Sequence, residues 1–291
     1  MDFTPVERAK LEKAQIHNWF DVSGATSSSI IRAGFSELEA RDLLDRSSQL
    51  FPSAIRGQKV LGMTSQVLTT SLRRLDSLLG GGIWCGAVTD FYGEASSGKT
   101  QICFQLCVNA VQAGWTVLFV DCLGTFRPER IREMSIAQKL DPSKALSRIN
   151  VLRVHSSHDQ IECVRDLVRR KRDYEKTILI VDGLADHFLT EYGTQGLISR
   201  QSSLYRHLID LSRLALNSEL AVVVTNGVRS RLDATEQFVE AGGNATTHVI
   251  HCRMMLSRES ARFTARILQP NLFSPKLYFT VTADGIIDAT E

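Results

Sequence analysis

The chain has 291 residues, of which 43% are hydrophobic and 23% charged, with 34 Lys+Arg against 32 Asp+Glu and a formal net charge of +2. That length and apolar content suit one large domain, or one plus a small appendage, with a sizeable core. Near-neutrality excludes a global positive field, so any nucleic-acid contact must come from local basic clusters.

Residues 8–15 and 36–50 read as helices, with Ala33-Gly34-Phe35-Ser36 as a tight turn between helical pieces. The N-terminus has neither the basic start nor the apolar run of a signal peptide. No apolar segment approaches the length that crosses a bilayer, so a soluble intracellular protein without a membrane partner is expected. Residues 52–68 are mixed in character and read as a linker.

From Gly86 the chain alternates strands and helices. The strand-like stretch 87–92 runs into Gly93-Glu94-Ala95-Ser96-Ser97-Gly98-Lys99-Thr100, a complete G-x-x-x-x-G-K-[ST] phosphate-binding loop, and an apolar helix over 101–113 follows. Glycines let backbone N–H groups turn inward around a polyphosphate at a helix N-terminus, whose partial positive charge favours anions. Lys99 would reach the β- and γ-phosphates, and the Thr100 hydroxyl would ligate Mg²⁺.

Thr116–Asp121 is an apolar run ending in an acid, and a helix follows from about Pro128, with proline at a first-turn position. Residues 150–154 read as a strand and 157–174 as a helix with a basic end, Arg169-Arg170-Lys171-Arg172, most simply a solvated terminus complementing the dipole, with nucleic-acid binding the other reading. Thr177–Asp182 is a second apolar strand closing on an acid. An amphipathic helix covers 198–217, and another buried strand covers 220–225. Apolar runs joined through helices imply a parallel sheet covered on both faces. Three further strands, over 247–256, 262–268 and 276–282, should extend its edge in antiparallel fashion. His248 and His251 read as strand residues satisfying local bonds.

Asp182 has the strand-end position of a Mg²⁺-side carboxylate, with Asp121 its rival; alternatively, Asp182 caps the next turn. The cysteines, Cys85, Cys103, Cys107, Cys122, Cys163 and Cys252, include no C-x-x-C pair and fall mostly in apolar elements. They read as buried reduced thiols; a metal site on Cys103 and Cys107 lacks partner ligands.

The sequence resembles the RecA/RadA recombinases, most closely archaeal RadA and its eukaryotic counterpart. The resemblance rests on Leu75-Asp76-Ser77-Leu78-Leu79-Gly80-Gly81-Gly82-Ile83, the phosphate loop through Gln101, Gly124-Thr125-Phe126-Arg127-Pro128-Glu129-Arg130, Ser199-Arg200-Gln201, the run 221–226 and Thr282-Ala283-Asp284-Gly285-Ile286. It implies a RecA-like P-loop ATPase core over 69–291, mostly parallel with antiparallel C-terminal strands. Ahead of it would lie a small helical domain over 1–50, similar to the second half of a helix–hairpin–helix unit, and a linker over 51–68.

The same resemblance implies ATP and Mg²⁺ as cofactors, with Arg130 stacking on the adenine. It places DNA, single- or double-stranded and without sequence preference, against loops near 190–202 and 228–246, where Arg200, Arg229 and Arg231 could meet backbone phosphates. Phe51 and Ala54 match an F-x-x-A element that would plug into a neighbouring copy or a RadA-type recombinase; Phe51 packing onto its own domain is the other reading. An archaeal cytoplasm with nucleoid association, or a nucleus, is the implied location.

Departures from the family pattern are equally specific. Leu123 stands where the family has the glutamate that orients the attacking water, and Gly227 stands where a glutamine senses the γ-phosphate. Leu268-Gln269-Pro270 aligns with the Asp-x-Pro that caps a neighbour's ATP, and Gln195 replaces a loop arginine. Hydrolysis and signalling are affected, whereas Lys99, Thr100 and Asp182 survive. A RadA paralogue that binds ATP and turns it over slowly is expected; a fully active DNA-dependent strand-exchange ATPase is the alternative. A circadian-type or flagellar regulator on the same core is disfavoured by the helical N-terminal region and the F-x-x-A match.

Overall fold

The computed structural model describes residues 3–14, 16–17, 19, 22, 25, 27–50, 66–169, 174, 176–192, 196–230, 238–260, 262–269 and 275–289. The chain divides into two compact units, Met1–Gly62 and Met63–Glu291.

In the first unit, helix α1 (Pro5–Lys13) opens on a capping box: the Thr4 hydroxyl accepts from the Glu7 amide while the Glu7 carboxylate accepts from the Thr4 amide. Helices α2 (Ser27–Arg32) and α3 (Glu37–Leu50) follow. Ser36 and Glu39 make the same reciprocal pair at the start of α3, which is why the chain turns at 33–36. Leu11, Ile16, Val22, Ile30, Phe35, Ala40 and Leu43 form the core, and Arg46 reaches Glu7 at 2.7 Å to tie α3 to α1. Helix α2 is the helical piece ahead of the 33–36 turn, whose start the serine run, with no apolar period, leaves unmarked in the sequence.

The second unit begins with β1 (Val67–Leu68), α4 (Arg73–Leu78) and β2 (Ile83–Trp84), the two short strands pairing antiparallel. Val67 and Leu68, read from sequence as linker, are therefore a strand of this unit. Then come β3 (Val88–Gly93), α5 (Lys99–Gln112), β4 (Thr116–Asp121), α6 (Pro128–Ala137), α7 (Pro142–Ser147), β5 (Ile149–Arg153) and α8 (Ser157–Arg169). They are followed by β6 (Thr177–Asp182), α9 (Asp186–Tyr192), α10 (Leu197–Ser218), β7 (Ala221–Asn226), β8 (Val228–Ser230), β9 (Phe238–Glu240) and α11 (Asn244–Val249). The chain closes on β10 (Cys252–Glu259), β11 (Arg262–Gln269), β12 (Leu277–Thr282) and β13 (Gly285–Ala289).

The main sheet has the order β13-β12-β11-β10-β3-β7-β6-β4-β5. Strands β10, β3, β7, β6, β4 and β5 run parallel, and β11, β12 and β13 extend the β10 edge antiparallel. Central strands β3, β6 and β7 are buried at every residue. Their alternate side chains feed two cores: Ile178, Ile180, Ala221 and Val223 join Phe91 and α5 on one face. Leu179, Val181, Val222 and Val224 join Leu204, Leu208 and Leu211 of α10 on the other.

Two sequence expectations change. Residues 247–249, expected at the start of a strand, close helix α11, and the strand begins at Cys252. The β-branched Thr246, Thr247 and Val249 look strand-like, yet the Thr246 hydroxyl caps Gly243 O at 2.8 Å and Val249 and Ile250 pack into the α10 core. That strand also pairs parallel with β3, so only the strands after it are antiparallel. His248 lies in α11, while His251 Nδ1 accepts from the Val88 amide at 3.0 Å.

The phosphate-loop helix is tied to the last hairpin through Gln105, whose Oε1 accepts from the Ile286 amide at 3.0 Å. Gly285, at φ +133°, leaves no room for a side chain: an added Cβ would lie 2.2 Å from Gln105 Oε1. Gly285→Ala should therefore lose about 2–4 kcal/mol through overpacking and strain, read as a lower urea midpoint. An unchanged midpoint would contradict this packing.

Candidate functional site

Four parallel strands, β3, β4, β6 and β7, bring their carboxyl ends to one edge of the sheet, with Asp121 beside Asp182 and Tyr92 beside Asn226 in register. In open parallel sheets this edge is where ligands bind, because the loops after the strands diverge there. The loop 94–98 leaves β3 and enters α5. Ser96 and Gly98 take left-handed conformations, φ 63° and 92°, which turn successive amides toward one concavity. The first amides of α5 have no partner within the helix and add to that concavity. A cavity of about 300 Å³ opens here, lined by Ser96, Ser97, Gly98, Lys99, Thr100, Gln101 and Phe263. Glu94, Ala95 and Ser96 are exposed, and Ser97 is buried.

Lys99 Nζ is held over the loop by Gly93 O (2.8 Å) and Glu94 O (2.6 Å). Burial pulls its ammonium below the usual lysine range, while the charges of Asp182 and Asp186 oppose that pull.

Asp182 is buried and accepts three threonine hydroxyls. Thr100 Oγ1 (2.9 Å) and Thr125 Oγ1 (2.7 Å) reach Oδ2, and Thr225 Oγ1 (2.7 Å) reaches Oδ1. The rival acid is employed elsewhere: Asp121 accepts the Thr125 amide (2.8 Å) and the Phe126 amide (3.3 Å) and closes the turn after β4. Hydroxyl plus carboxylate at the end of a phosphate loop is the hard-oxygen donor set Mg²⁺ takes beside phosphate. The observed Thr100–Asp182 contact therefore fits a metal held by Thr100 with Asp182 behind it.

Arg130, on α6, is fixed by Thr282 O, by Ala283 O (2.5 Å) and by Gln101 Oε1 (3.1 Å). Its guanidinium plane thus stands beside the phosphate-loop helix. Leu123 is 53% exposed. It lies against Gly183, whose φ of +97° and lack of a side chain make room for it: a Cβ there would sit 2.9 Å from Leu123 Cγ and 3.2 Å from Asp186 Oδ2. Burial raises the Asp186 carboxyl, Asp182 adds to the rise, and Lys99 opposes it.

A Cβ at Gly227 would meet nothing within 4 Å, so the position has open space. Beyond it β8 and β9 pair as a ribbon that places the Arg229 backbone opposite Val239. Gln269 donates to Ile250 O at 2.9 Å within its own chain. Arg200 is buried on α10, 7% exposed, rather than displayed on a loop. Phe51, Ala54, Gln195 and Arg231 lie outside the described residues, as do Arg170, Lys171 and Arg172; Arg169 pairs with Glu162 and Asp166. Cys103 and Cys107 pack in the apolar core around α5. Among the described residues, no helix is long and apolar enough to cross a membrane.

A family model described as Rad51 matches residues 63–289. The chain belongs to the Rad51 family. The α/β unit is its RecA-like core, with the mostly parallel sheet and antiparallel C-terminal strands that the resemblance implies. The chain is also 36% identical, over 293 residues, to a protein of Metallosphaera sedula described as "DNA repair and recombination protein RadA"; the match covers 97% of this chain and 89% of that protein.

Sequence reasoning missed Thr125, Thr225, Gly183, Asp186 and Phe263. The two threonines lay inside quoted motifs, at the turn after β4 and the end of β7. Asp186, four residues beyond Asp182, was the visible signal for a second acid.

Below the loop, Asp90 is fully buried with Oδ1 accepting from Asn226 Nδ2 at 3.1 Å. Burial lifts its carboxyl from 3.8 to about 7, with Arg253 and Asn226 pulling the other way. Between those values the native chain holds a proton that the unfolded chain has released, so this group makes stability fall as pH rises from 3.8 to about 7. Asp90→Asn should flatten that part of the stability–pH curve; an unchanged slope would contradict the burial argument.

Proposed function

We propose that this chain is an ATP- and Mg²⁺-binding protein of homologous recombination and DNA repair. It works on DNA, on a recombinase filament, or on both, with weakened hydrolysis: a RadA paralogue or mediator. The observation that carries this reading is Leu123 on the turn after β4, beside an otherwise assembled phosphate site of Lys99, Thr100 and Asp182.

Loop amides and Lys99 would hold the phosphates, Thr100 and Asp182 would hold Mg²⁺, and Arg130 would supply a planar cation for the adenine. When bound, Mg²⁺ neutralises charge that builds between the β- and γ-phosphates. Leu123 offers a water neither an acceptor nor a base, and loss of that help slows such chemistry by roughly a hundredfold or more. Gly227 has no side-chain amide with which to report the γ-phosphate to the paired strands β8 and β9. Arg229 and Arg231 would contact DNA phosphates; Arg200, being buried, would act on DNA only through the shape of α10. Phe51 and Ala54 would engage a neighbouring copy or a RadA-type recombinase. A nucleoid-associated archaeal protein, or a nuclear one, suits these roles.

The second reading, a fully active DNA-dependent recombinase, is favoured by the similarity to RadA along nearly the whole chain. ATP turnover with and without single-stranded DNA separates the two. The wild type should be slow, and Leu123→Glu, at a half-exposed position, should raise turnover about tenfold or more. Robust DNA-stimulated hydrolysis by the wild type would overturn the weakened-hydrolysis reading. Lys99→Ala should lose nucleotide binding under either reading. Phe51→Glu should abolish self-assembly or co-purification with a recombinase; if neither changes, Phe51 belongs to its own domain.

A further inference from the structure

The edge of the sheet carries more carboxylates than binding needs, and most are already committed. Asp182 is taken by three hydroxyls, Asp121 by two backbone amides, and Asp90 is buried against Asn226. Asp186 is different. It is half-buried at the start of α9, where its own backbone amide donates to its carboxylate and Lys99 and His187 are the cations that act on it.

Its position is determined by the turn that follows Asp182. The Gly183 amide donates to Thr225 Oγ1 (2.9 Å), the Leu184 amide to Thr225 O (2.9 Å), and the Asp186 amide to Gly183 O (3.4 Å). Asp186 is thereby anchored to the ends of β6 and β7 rather than to a loose loop. Its Oδ2 and the Leu123 side chain border one and the same point, 3.2 Å and 2.9 Å from where a Gly183 Cβ would stand. The left-handed turn at Gly183 creates that juxtaposition, since a side chain there would drive Leu123 and Asp186 apart.

We propose that Asp186 is the residue that holds the attacking water in this chain, standing in from α9 for the acid missing at Leu123. The inference rests on the reading of the site as an ATP site. In the reaction, the water oxygen bonds to the γ-phosphorus as the bond from that phosphorus to the β,γ-bridging oxygen breaks. The electron pair leaves on ADP, and the water's proton passes to the Asp186 carboxylate and on to solvent. An aspartate has one methylene less than glutamate and approaches from a different segment. It therefore sustains a slow reaction rather than a fast one, consistent with the proposed weak turnover.

The test compares binding of a fluorescent ADP in Mg²⁺ buffer, with and without aluminium fluoride as a mimic of the phosphoryl group in flight, for the wild type and Asp186→Asn. Asp186→Asn should weaken the aluminium fluoride complex by about tenfold or more. ADP alone and a non-hydrolysable ATP analogue should bind within about twofold of wild type, which also shows that the variant is folded. Residual turnover should fall in parallel, and adding Leu123→Glu to Asp186→Asn should restore both. Equal affinity of the mimic for the two proteins would overturn the inference, as would an equal loss for the analogue and the mimic. A wild type that bound no Mg²⁺–nucleotide would overturn the reading of the site itself, and this inference with it.

Discussion

The carboxylate of Asp182 accepts hydrogen bonds from three threonines that arrive from three parts of the chain: Thr100 on the phosphate-loop helix, Thr125 on the turn after β4, and Thr225 at the end of β7. A buried carboxylate is costly unless its lone pairs are met. Satisfying this one draws α5, the β4 turn and β7 to the end of β6. The parallel register of β4, β6 and β7 brings these segments within reach, because it ends each strand at the same level. Loss of any one hydroxyl would leave part of a buried charge unmet and loosen the same edge that shapes the phosphate cavity.

That arrangement explains how binding and chemistry can separate in this chain. The groups suited to phosphate and Mg²⁺ sit on β3, α5 and β6, whose positions are imposed by two apolar cores. The position the family uses to orient water lies on an exposed turn, and Leu123 there disturbs no core packing. Gly227 likewise leaves open space rather than a collapsed site. Under the proposed reading, both departures would change what the site does while leaving the sheet as it is built.

Much of the fold was legible because its strands are buried on both faces. Thr116–Asp121 and Thr177–Asp182 coincide with the apolar runs to the residue, since their ends are marked by an acid at one side and turns at the other. The phosphate loop was legible for a different reason: its residue types are dictated by backbone geometry. Elements with no period were not. Helices α2, α7 and α9 and the ribbon β8–β9 are too short to show one, and α11 hides its helix in β-branched residues. Arg200 sits in a motif that suggested a DNA loop, but the face of α10 it occupies is turned inward. The neighbourhood of Leu123, Gly183 and Asp186 is tertiary: residues sixty positions apart meet only because β4 and β6 are adjacent.

The central claim is that this chain holds Mg²⁺–ATP at an assembled cradle and consumes it slowly. The most direct measurement isolates the complex with radiolabelled ATP and follows the label with time. Intact ATP should dominate the bound nucleotide long after a fully active family member would have converted it to ADP. Rapid appearance of ADP on the protein, or no retained label at all, would contradict the account.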